Sequence, residues 1–324
     1  MNVPTILNTM KWKLPFAWTR HHREEPQLLT KPDGPLAILF PPEFDAAFYR
    51  ERHHDLAKFS DADLFDHYQR HGREEGRISS RAVPRDAFLK YVPAAMKALE
   101  IGPGLQPCLE GPNVKYFEVV DTAALVARAA QLNEDASRIP RIDYLSPSLD
   151  LAIVDEQFEV VLSSHCIEHQ PDLIRHIQAV DRLLVDGGCY VLVIPDRRYC
   201  FDHYLRDSTL ADVLDAYYAE RKVHLLKSVI EHRALTTHND SKRHWKGDHA
   251  MEKDVQHVAA QAVEEWKAAD GGYVDVHAWQ FTPASFRDII DALAGLGYIA
   301  MKPARVYPTL YGWNEFYAVL EKQQ

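Results

Sequence analysis

Short apolar runs alternate with amphipathic stretches from Lys97 to the end of the chain. This alternation predicts strand and helix units that build a mainly parallel sheet covered by helices. The predicted strands are Ala98 to Ile101, Val114 to Val120, Arg141 to Tyr144, Phe158 to Ser163, Cys189 to Ile194, Tyr298 to Tyr307 and Glu315 to Leu320. The predicted helices include Thr122 to Leu132, Leu173 to Leu184 and one opened by Thr282-Pro283. A short loop joins the last two strands, so we expect an α/β, doubly wound, seven-stranded sheet with one antiparallel pair.

The same pattern divides the chain into three parts. A flexible leader is predicted for residues 1–36, a small helical module for residues 37–80, and one large α/β domain for residues 81–324. Within that domain, residues 197–278 are too many for a plain connection and contain two helical runs. We expect them to form a helical lid inserted after the fifth strand.

Charge and composition restrict the class of partner. The 324 residues carry a formal net charge of -10, and phosphate backbones need a concentrated basic surface, so we expect no nucleic-acid partner. Four cysteines without a CxxC pair favour a reducing cytoplasm. No apolar run has the length of a signal peptide or of a membrane span, which takes about 20 residues. Aromatic and basic side chains before Arg23 leave open a peripheral contact with the inner membrane.

A glycine-rich turn follows the first predicted strand. Gly102 and Gly104 lack the Cβ atom that would keep a ligand away from the backbone. Glu118 or Asp121, at the end of the second strand, can accept hydrogen bonds from ribose hydroxyls. Asp121 is also placed to cap the next helix, so we favour Glu118. The turn lacks the third glycine of a dinucleotide site, and the chain has no GxxxxGK[ST] phosphate loop.

The most informative segment runs from Phe158 to Gly188. A buried strand ends in Ser163-Ser164-His165, a turn carries Glu168-His169, and a helix leads to a double glycine and another apolar strand. Together with Leu99-Glu100-Ile101-Gly102-Pro103-Gly104, this segment resembles the cofactor-binding half of class I S-adenosylmethionine-dependent methyltransferases. The resemblance covers Lys97 to Pro195 and the final two strands.

The resemblance implies a Rossmann-like methyltransferase sheet and S-adenosylmethionine as the cofactor. It implies cofactor contacts from Glu100, Gly102, Gly104, Glu118 or Asp121, Ser164, His165 and His169. Two features depart from the family pattern. Pro103 stands in the glycine turn, and residues 105–113 leave little room for the usual first helix. The acid that follows the third strand is also ambiguous, because Asp143 and Asp150 are both imperfectly placed.

A hydroxyl acceptor must lose a proton when it is methylated, so the site needs a base. Ligands in open α/β sheets lie beyond the carboxyl ends of the strands, and histidine titrates near pH about 6.5. Eleven of the 17 histidines lie between His165 and His277. The catalytic candidates are therefore His165, Asp196, His203 and His277.

The spacing His165-x-x-Glu168-His169 admits a second interpretation. Some methyltransferases carry Glu-x-x-Glu-His at this point and hold a divalent ion beside the acceptor oxygens, but here the first glutamate is a histidine. Mixed nitrogen and oxygen donors suit zinc or another transition metal better than magnesium. We favour a site without metal, in which His169 hydrogen-bonds at the turn, and retain these three residues as the alternative ligands.

Two further resemblances bear on the acceptor. Pro195-Asp196-Arg197-Arg198-Tyr199 and Phe201-Asp202-His203-Tyr204 resemble methyltransferases associated with polysaccharide assembly, which implies a sugar hydroxyl on a glycan or sugar nucleotide. Tyr199, Trp245 and Trp279 could then stack on sugar faces. The alternatives are a phenolic or lipid-linked acceptor with a divalent metal, and a non-catalytic cofactor-binding scaffold.

The small module resembles a helical unit found beside glycosyltransferases. The matching residues are Phe44 to Tyr49, Asp55-Leu56 and His67-Tyr68 to Gly72. This resemblance implies glycan-assembly enzymes as partners. The alternative is a pair of helices that only packs on the core.

Overall fold

A seven-stranded sheet forms the centre of the computed structural model, which describes residues 36–251 and 253–323. Its strands are β1 (Ala98–Ile101), β2 (Val114–Glu118), β3 (Tyr144–Leu145), β4 (Phe158–Ser164), β5 (Leu184–Pro195), β6 (Lys302–Tyr307) and β7 (Glu315–Glu321). The spatial order is β3-β2-β1-β4-β5-β7-β6, parallel except for β7, which runs antiparallel to both of its neighbours. The predicted doubly wound α/β sheet with a reversed strand is confirmed.

Ten α-helices flank or extend the sheet in the described residues. They are α1 (Ala46–Arg52), α2 (Asp61–His67), α3 (Arg85–Leu89), α4 (Thr122–Leu132), α5 (Leu173–Leu183), α6 (Leu210–Tyr218), α7 (Leu226–Ala234), α8 (Ser241–Trp245), α9 (Val255–Ala268) and α10 (Pro283–Gly295). Local chemistry fixes their starts. Thr282, for example, caps α10 with a capping box, and Pro283 occupies the first turn, where a missing N–H costs nothing. None of the described helices is long and apolar enough to cross a membrane.

Several predicted boundaries were wrong by a few residues. The second strand ends at Glu118, and the third is only the pair Tyr144–Leu145. The fifth begins at Leu184, directly after α5, and the double glycine lies inside it. A Cβ on Gly188 would lie 3.0 Å from the carbonyl oxygen of Glu159, so glycine is required where the β4–β5 register shifts.

The two faces of the sheet are covered in different ways. Apolar side chains of α5 and α10, such as Ile177 and Ile290, pack on one face. The other face is covered by segments that precede the sheet in sequence, residues 36–40 and 82–96. There the ring of Phe88 stacks on Tyr317 with centroids 4.9 Å apart.

Residues 44–72 form a small helical unit with its own apolar cluster. That cluster consists of Tyr49, Leu56, Leu64 and Tyr68, with Phe44 packed against it. Helices occur here as the sequence predicts. The predicted leader, apart from Leu36, lies outside the described residues.

An ion pair links α3 to the first residue of β7. Arg85 Nε and Nη2 donate to the two carboxylate oxygens of Glu315 at 2.9 and 2.7 Å, and Nη2 also donates to Ser164 Oγ at 3.1 Å. Burial raises the pKa of Glu315, but the charge of Arg85 outweighs burial and, with a hydrogen bond from His165, lowers it to about 2. Glu315 is therefore a carboxylate at neutral pH.

We expect Arg85→Met to lower the free energy of unfolding by about 3 to 5 kcal/mol, because it leaves a buried carboxylate without its cation. Arg81→Met is the matched control. Arg81 pairs with Glu51 at 2.8 Å while both side chains are half exposed or more, so its loss should cost about 1 kcal/mol or less. Urea unfolding of both variants measures the difference, and equal costs would contradict it.

Candidate active site

The carboxyl ends of four parallel strands and the first residue of β7 meet at one edge of the sheet. Ile101 pairs with Ser163, and Pro195 pairs with Glu315. The residues that directly follow β1, β4 and β5 therefore lie side by side. In open α/β sheets this edge is where ligands bind.

The glycine turn after β1 opens toward this edge. Gly102 and Gly104 have φ angles of +71° and +52°, a region that favours glycine, and no atom lies within 4 Å of a Cβ built on Gly104. Residues 102–113 contain no helix, in agreement with the short spacing in the sequence. The backbone of the turn is thus accessible to a ligand.

Glu100 holds the far side of that turn in place. Its two carboxylate oxygens accept hydrogen bonds from the backbone N–H groups of Cys108 and Leu109 at 2.8 and 2.9 Å. Burial raises the pKa of this carboxyl to about 7. Glu100, which the sequence predicts to contact the cofactor, therefore uses its carboxylate to hold the backbone of the turn.

Glu118 and Asp121 have different surroundings. Glu118 is buried, and its Oε2 and Oε1 accept from the backbone N–H groups of Gly104 at 3.2 Å and Val119 at 2.8 Å. Burial raises the pKa of Glu118. Asp121 caps α4 by accepting from Ala124 N at 2.7 Å. The geometry gives Glu118 the position beside the glycine turn.

The two candidates for the acid after the third strand both have structural partners. Asp143 accepts from the backbone N–H of Tyr116 at 3.0 Å, and Asp150 caps a short 3-10 turn through Ala152 N at 2.9 Å. Neither carboxylate is therefore distinguished as a ligand contact.

His165 follows β4 in a left-handed conformation, with φ +50°. Its Nε2 lies 3.0 Å from Glu315 Oε2, and the neighbouring Ser164 accepts from Arg85. Because Glu315 is a carboxylate, it holds the proton of His165 on Nε2 and leaves Nδ1 as an acceptor. The imidazole is partly exposed, so it is accessible from the edge of the sheet.

Glu168 is fully buried, and neither of its carboxylate oxygens has a hydrogen-bond partner. Three imidazole nitrogens surround its Oε1: His165 Nδ1 at 3.8 Å, His169 Nε2 at 3.8 Å and His277 Nε2 at 3.9 Å. The sequence places two of these histidines near Glu168. His277 arrives from the end of the insertion, where Ala278 N donates to the carbonyl oxygen of Glu168 at 2.7 Å.

Each of these imidazoles has a carboxylate on its other side. Asp275 Oδ1 lies 2.9 Å from His169 Nδ1, and Asp202 Oδ2 lies 2.6 Å from His277 Nδ1. Burial lowers the pKa of His169, but Asp275 outweighs burial and raises it to about 9. His165 has Glu315 in the same role. The result is a network of carboxylates and imidazoles beside the predicted acceptor position, in which Glu168, His277 and Asp202 are buried and Asp275 is exposed.

Asp196 and His203, the other two predicted catalytic residues, are engaged elsewhere. Asp196 is fully buried, accepts from Arg198 Nε at 2.9 Å and accepts from Thr309 Oγ1 at 2.5 Å. His203 groups with two histidines of the insertion, His244 and His249. A structural role fits Asp196 better, because its oxygens already have partners.

The predicted aromatic platforms for a sugar need correction. Trp279 is buried in the main core, and its Nε1 donates to the carbonyl oxygen of Gln170 at 2.6 Å. Tyr199 and Trp245 stack on each other with centroids 3.7 Å apart, so each covers one face of the other. Core packing and mutual stacking account for these rings.

Sequence reasoning missed the residues that orient the site. Arg85, Asp202, Asp275 and Glu315 reach it only through long-range packing, and Glu315 is 150 positions from His165. The one signal available was the excess of histidines after His165. It indicated the region without identifying their partners.

A cofactor with a ribose and an amino-acid part fits the edge that these residues form. A carboxylate offers about four acceptor sites, and Glu118 uses two of them, so it retains capacity for hydroxyl donors. Gly102 and Gly104 add a turn with accessible backbone.

Comparisons with known proteins give one family match. Residues 99–192 match the model of a family described as a methyltransferase domain. No curated protein sequence matches the chain.

The solved structures that are similar to this chain include methyltransferases and a protein in complex with SAH. The CurJ carbon methyltransferase has a TM-score of 0.37 and 13% identity over 74% of this chain, which spans 53% of the CurJ chain. The DhpI complex has a TM-score of 0.34 and 13% identity over 86% of this chain and 95% of that one. The glycopeptide N-methyltransferase MtfA in complex with sinefungin has a TM-score of 0.26 and 19% identity. The similarity covers 35% of this chain and 53% of the MtfA chain.

Proposed function

We propose that this chain, whose residues 99–192 match a family of methyltransferase domains, is a class I S-adenosylmethionine-dependent methyltransferase that methylates a sugar hydroxyl on a glycan or sugar nucleotide. The observation that carries the proposal is the His165–Glu315 pair beside the glycine turn. When bound, the cofactor supplies an electrophilic methyl group. The protein's tasks are to align the acceptor and to remove its proton.

Four groups of this chain would hold the cofactor. Gly102 and Gly104 present accessible backbone, Glu118 accepts from the ribose hydroxyls, and Ser164 lies along the flank of the same edge. Glu100 contributes indirectly, because it fixes the turn that carries the glycines.

His165 is the base in this proposal. Its Nδ1 accepts the hydroxyl proton, and Glu315 stabilises the imidazolium that results through the hydrogen bond at Nε2. Arg85 keeps Glu315 ionised. His277 is buried and paired with Asp202. Its role in this proposal is to position Glu168 and the insertion.

The sugar acceptor rests on the resemblance of the segment after β5 to methyltransferases of polysaccharide assembly, together with the partly exposed imidazole of His165 at this edge. The helical unit of residues 44–72 is proposed to contact glycan-assembly enzymes. Its exposed Phe65 and Phe59 offer apolar contacts for such a partner.

The free cysteines fit a reaction in the cytoplasm. A screen of purified sugar nucleotides and glycan fragments for the mass gain of one methyl group tests the acceptor class.

We expect Glu118→Gln to weaken S-adenosylmethionine binding at least about tenfold, because a charge-assisted hydrogen bond is worth about 1.5 to 3 kcal/mol. Asp121→Asn is the matched control, since asparagine also caps helices and Asp121 faces α4. Calorimetric titration measures both. Equal weakening by the two substitutions would show that the ribose contact is assigned to the wrong residue. If the parent protein does not bind S-adenosylmethionine, the proposal that it is an enzyme is contradicted.

His165→Ala should lower turnover about 10² to 10⁴-fold while leaving the dissociation constant of the cofactor within about threefold, as expected for the loss of a general base. His54→Ala, at an exposed histidine of the small helical unit, controls for nonspecific effects. Initial rates with the acceptor found in the screen provide the measurement. Unchanged turnover in His165→Ala would contradict the assignment of His165 as the base.

A second candidate function is methylation of a phenolic or lipid-linked acceptor with the help of a divalent ion. The buried, unpartnered oxygens of Glu168 and the imidazole nitrogens around them favour it. Such an enzyme loses turnover after dialysis against EDTA and regains it with added metal. Glu168→Gln should then abolish the recovery, whereas retained turnover in that variant would exclude an essential ion at Glu168.

A further inference from the structure

Three histidines of the connection between β5 and α10 converge outside the site described above. His203, His244 and His249, here called the histidine cluster, each offer a ring nitrogen, and these nitrogens lie within 4.8 Å of one another. Nδ1 of His244 lies 2.9 Å from Nδ1 of His249. The ring of His203 stacks on that of His249 with centroids 3.6 Å apart.

Backbone carbonyls fix the protonation of two of these rings. His203 Nδ1 lies 2.7 Å from the carbonyl oxygen of Arg198, and His244 Nε2 lies 3.0 Å from that of His238. A carbonyl only accepts, so each of these nitrogens carries the proton, and the other nitrogen of each ring presents a lone pair. Metal-binding histidines are held in this way by the partner of their second nitrogen.

We propose that the histidine cluster binds a divalent transition metal of the zinc class through one nitrogen of each ring. A tetrahedral zinc with bonds of about 2.0 to 2.1 Å separates its ligand atoms by about 3.4 Å. The observed separations, from 2.9 Å to at most 4.8 Å, bracket that value. Because an imidazole lone pair lies in the plane of its ring, and the rings of His203 and His249 are nearly parallel, metal binding would require one of these two rings to turn out of the stack. Imidazole nitrogens without carboxylates suit zinc, copper or nickel better than magnesium or calcium.

The fourth coordination position is left for water or a ligand. His238, the nearest further histidine, uses both ring nitrogens, one 3.0 Å from the carbonyl oxygen of Asp248 and one accepting from Asp240 N at 3.2 Å. Asp248 forms an ion pair with Arg243 at 2.7 Å. Three protein ligands and one open position are typical of zinc sites that contact substrates.

The metal would fasten the inserted segment to the end of β5. His203 lies in the turn that follows β5, whereas His244 belongs to α8 and His249 to the loop after it. The two segments already touch, since Thr237 N donates to the carbonyl oxygen of Phe201 at 2.8 Å. This proposal does not depend on methyl transfer, and the cluster uses none of the residues around Glu168.

Metal analysis of the full chain tests the proposal. The protein is stripped with EDTA, titrated with Zn²⁺ or Co²⁺, and its bound metal is measured after dialysis. We expect about one equivalent in the parent chain, and a loss of affinity of at least about tenfold in His249→Ala and in His203→Ala. His257→Ala, at an exposed histidine of the same insertion, and Glu168→Gln should retain that equivalent.

Thermal unfolding separates loss of a ligand from loss of the fold. With EDTA, His249→Ala should unfold near the temperature of the parent chain, and Zn²⁺ should raise the midpoint of the parent only. Retention of zinc by both His249→Ala and His203→Ala would overturn the proposal. So would a parent chain that holds no Zn²⁺ or Co²⁺, or one whose only equivalent is lost in Glu168→Gln.

Discussion

The parallel alignment of β1, β2, β4 and β5 is the constraint on which the candidate site depends. Parallel pairing brings the carboxyl ends of these strands to one edge, so a glycine turn, a carboxylate and an imidazole from distant parts of the chain become neighbours. The backbone ladders hold that edge together, and both faces of the sheet are buried. A site built on such strands is positioned by the whole core rather than by its loops.

The reversed strand β7 adds a charge to this edge. Because it runs antiparallel to β5, its first residue, Glu315, lies beside the last residue of β5, Pro195. A parallel strand there would have placed its carboxyl end at the edge instead. The antiparallel direction thus gives His165 its carboxylate and gives α3 its anchor through Arg85.

The insertion after β5 contributes the remaining charged groups. Asp202 comes from its start, and Asp275 and His277 come from its end, so the two ends of the insertion close over Glu168. The histidine cluster lies on the same insertion and joins His203, next to Asp202 at its start, to His244 and His249 in its middle. The insertion therefore supplies carboxylate and imidazole partners around Glu168 and also carries the proposed metal site.

The sequence by itself determined the strand and helix pattern, the reversed final pair, the glycine turn and the segment from Phe158 to Gly188. These features depend on local periodicity, on caps and on motifs within a few residues, which a sequence shows directly. Only the tertiary structure decided that Glu315 orients His165, that Asp202 orients His277, and that Trp279 is core. Pairs 75 or 150 positions apart leave no local pattern, because the sheet and its packing bring them together.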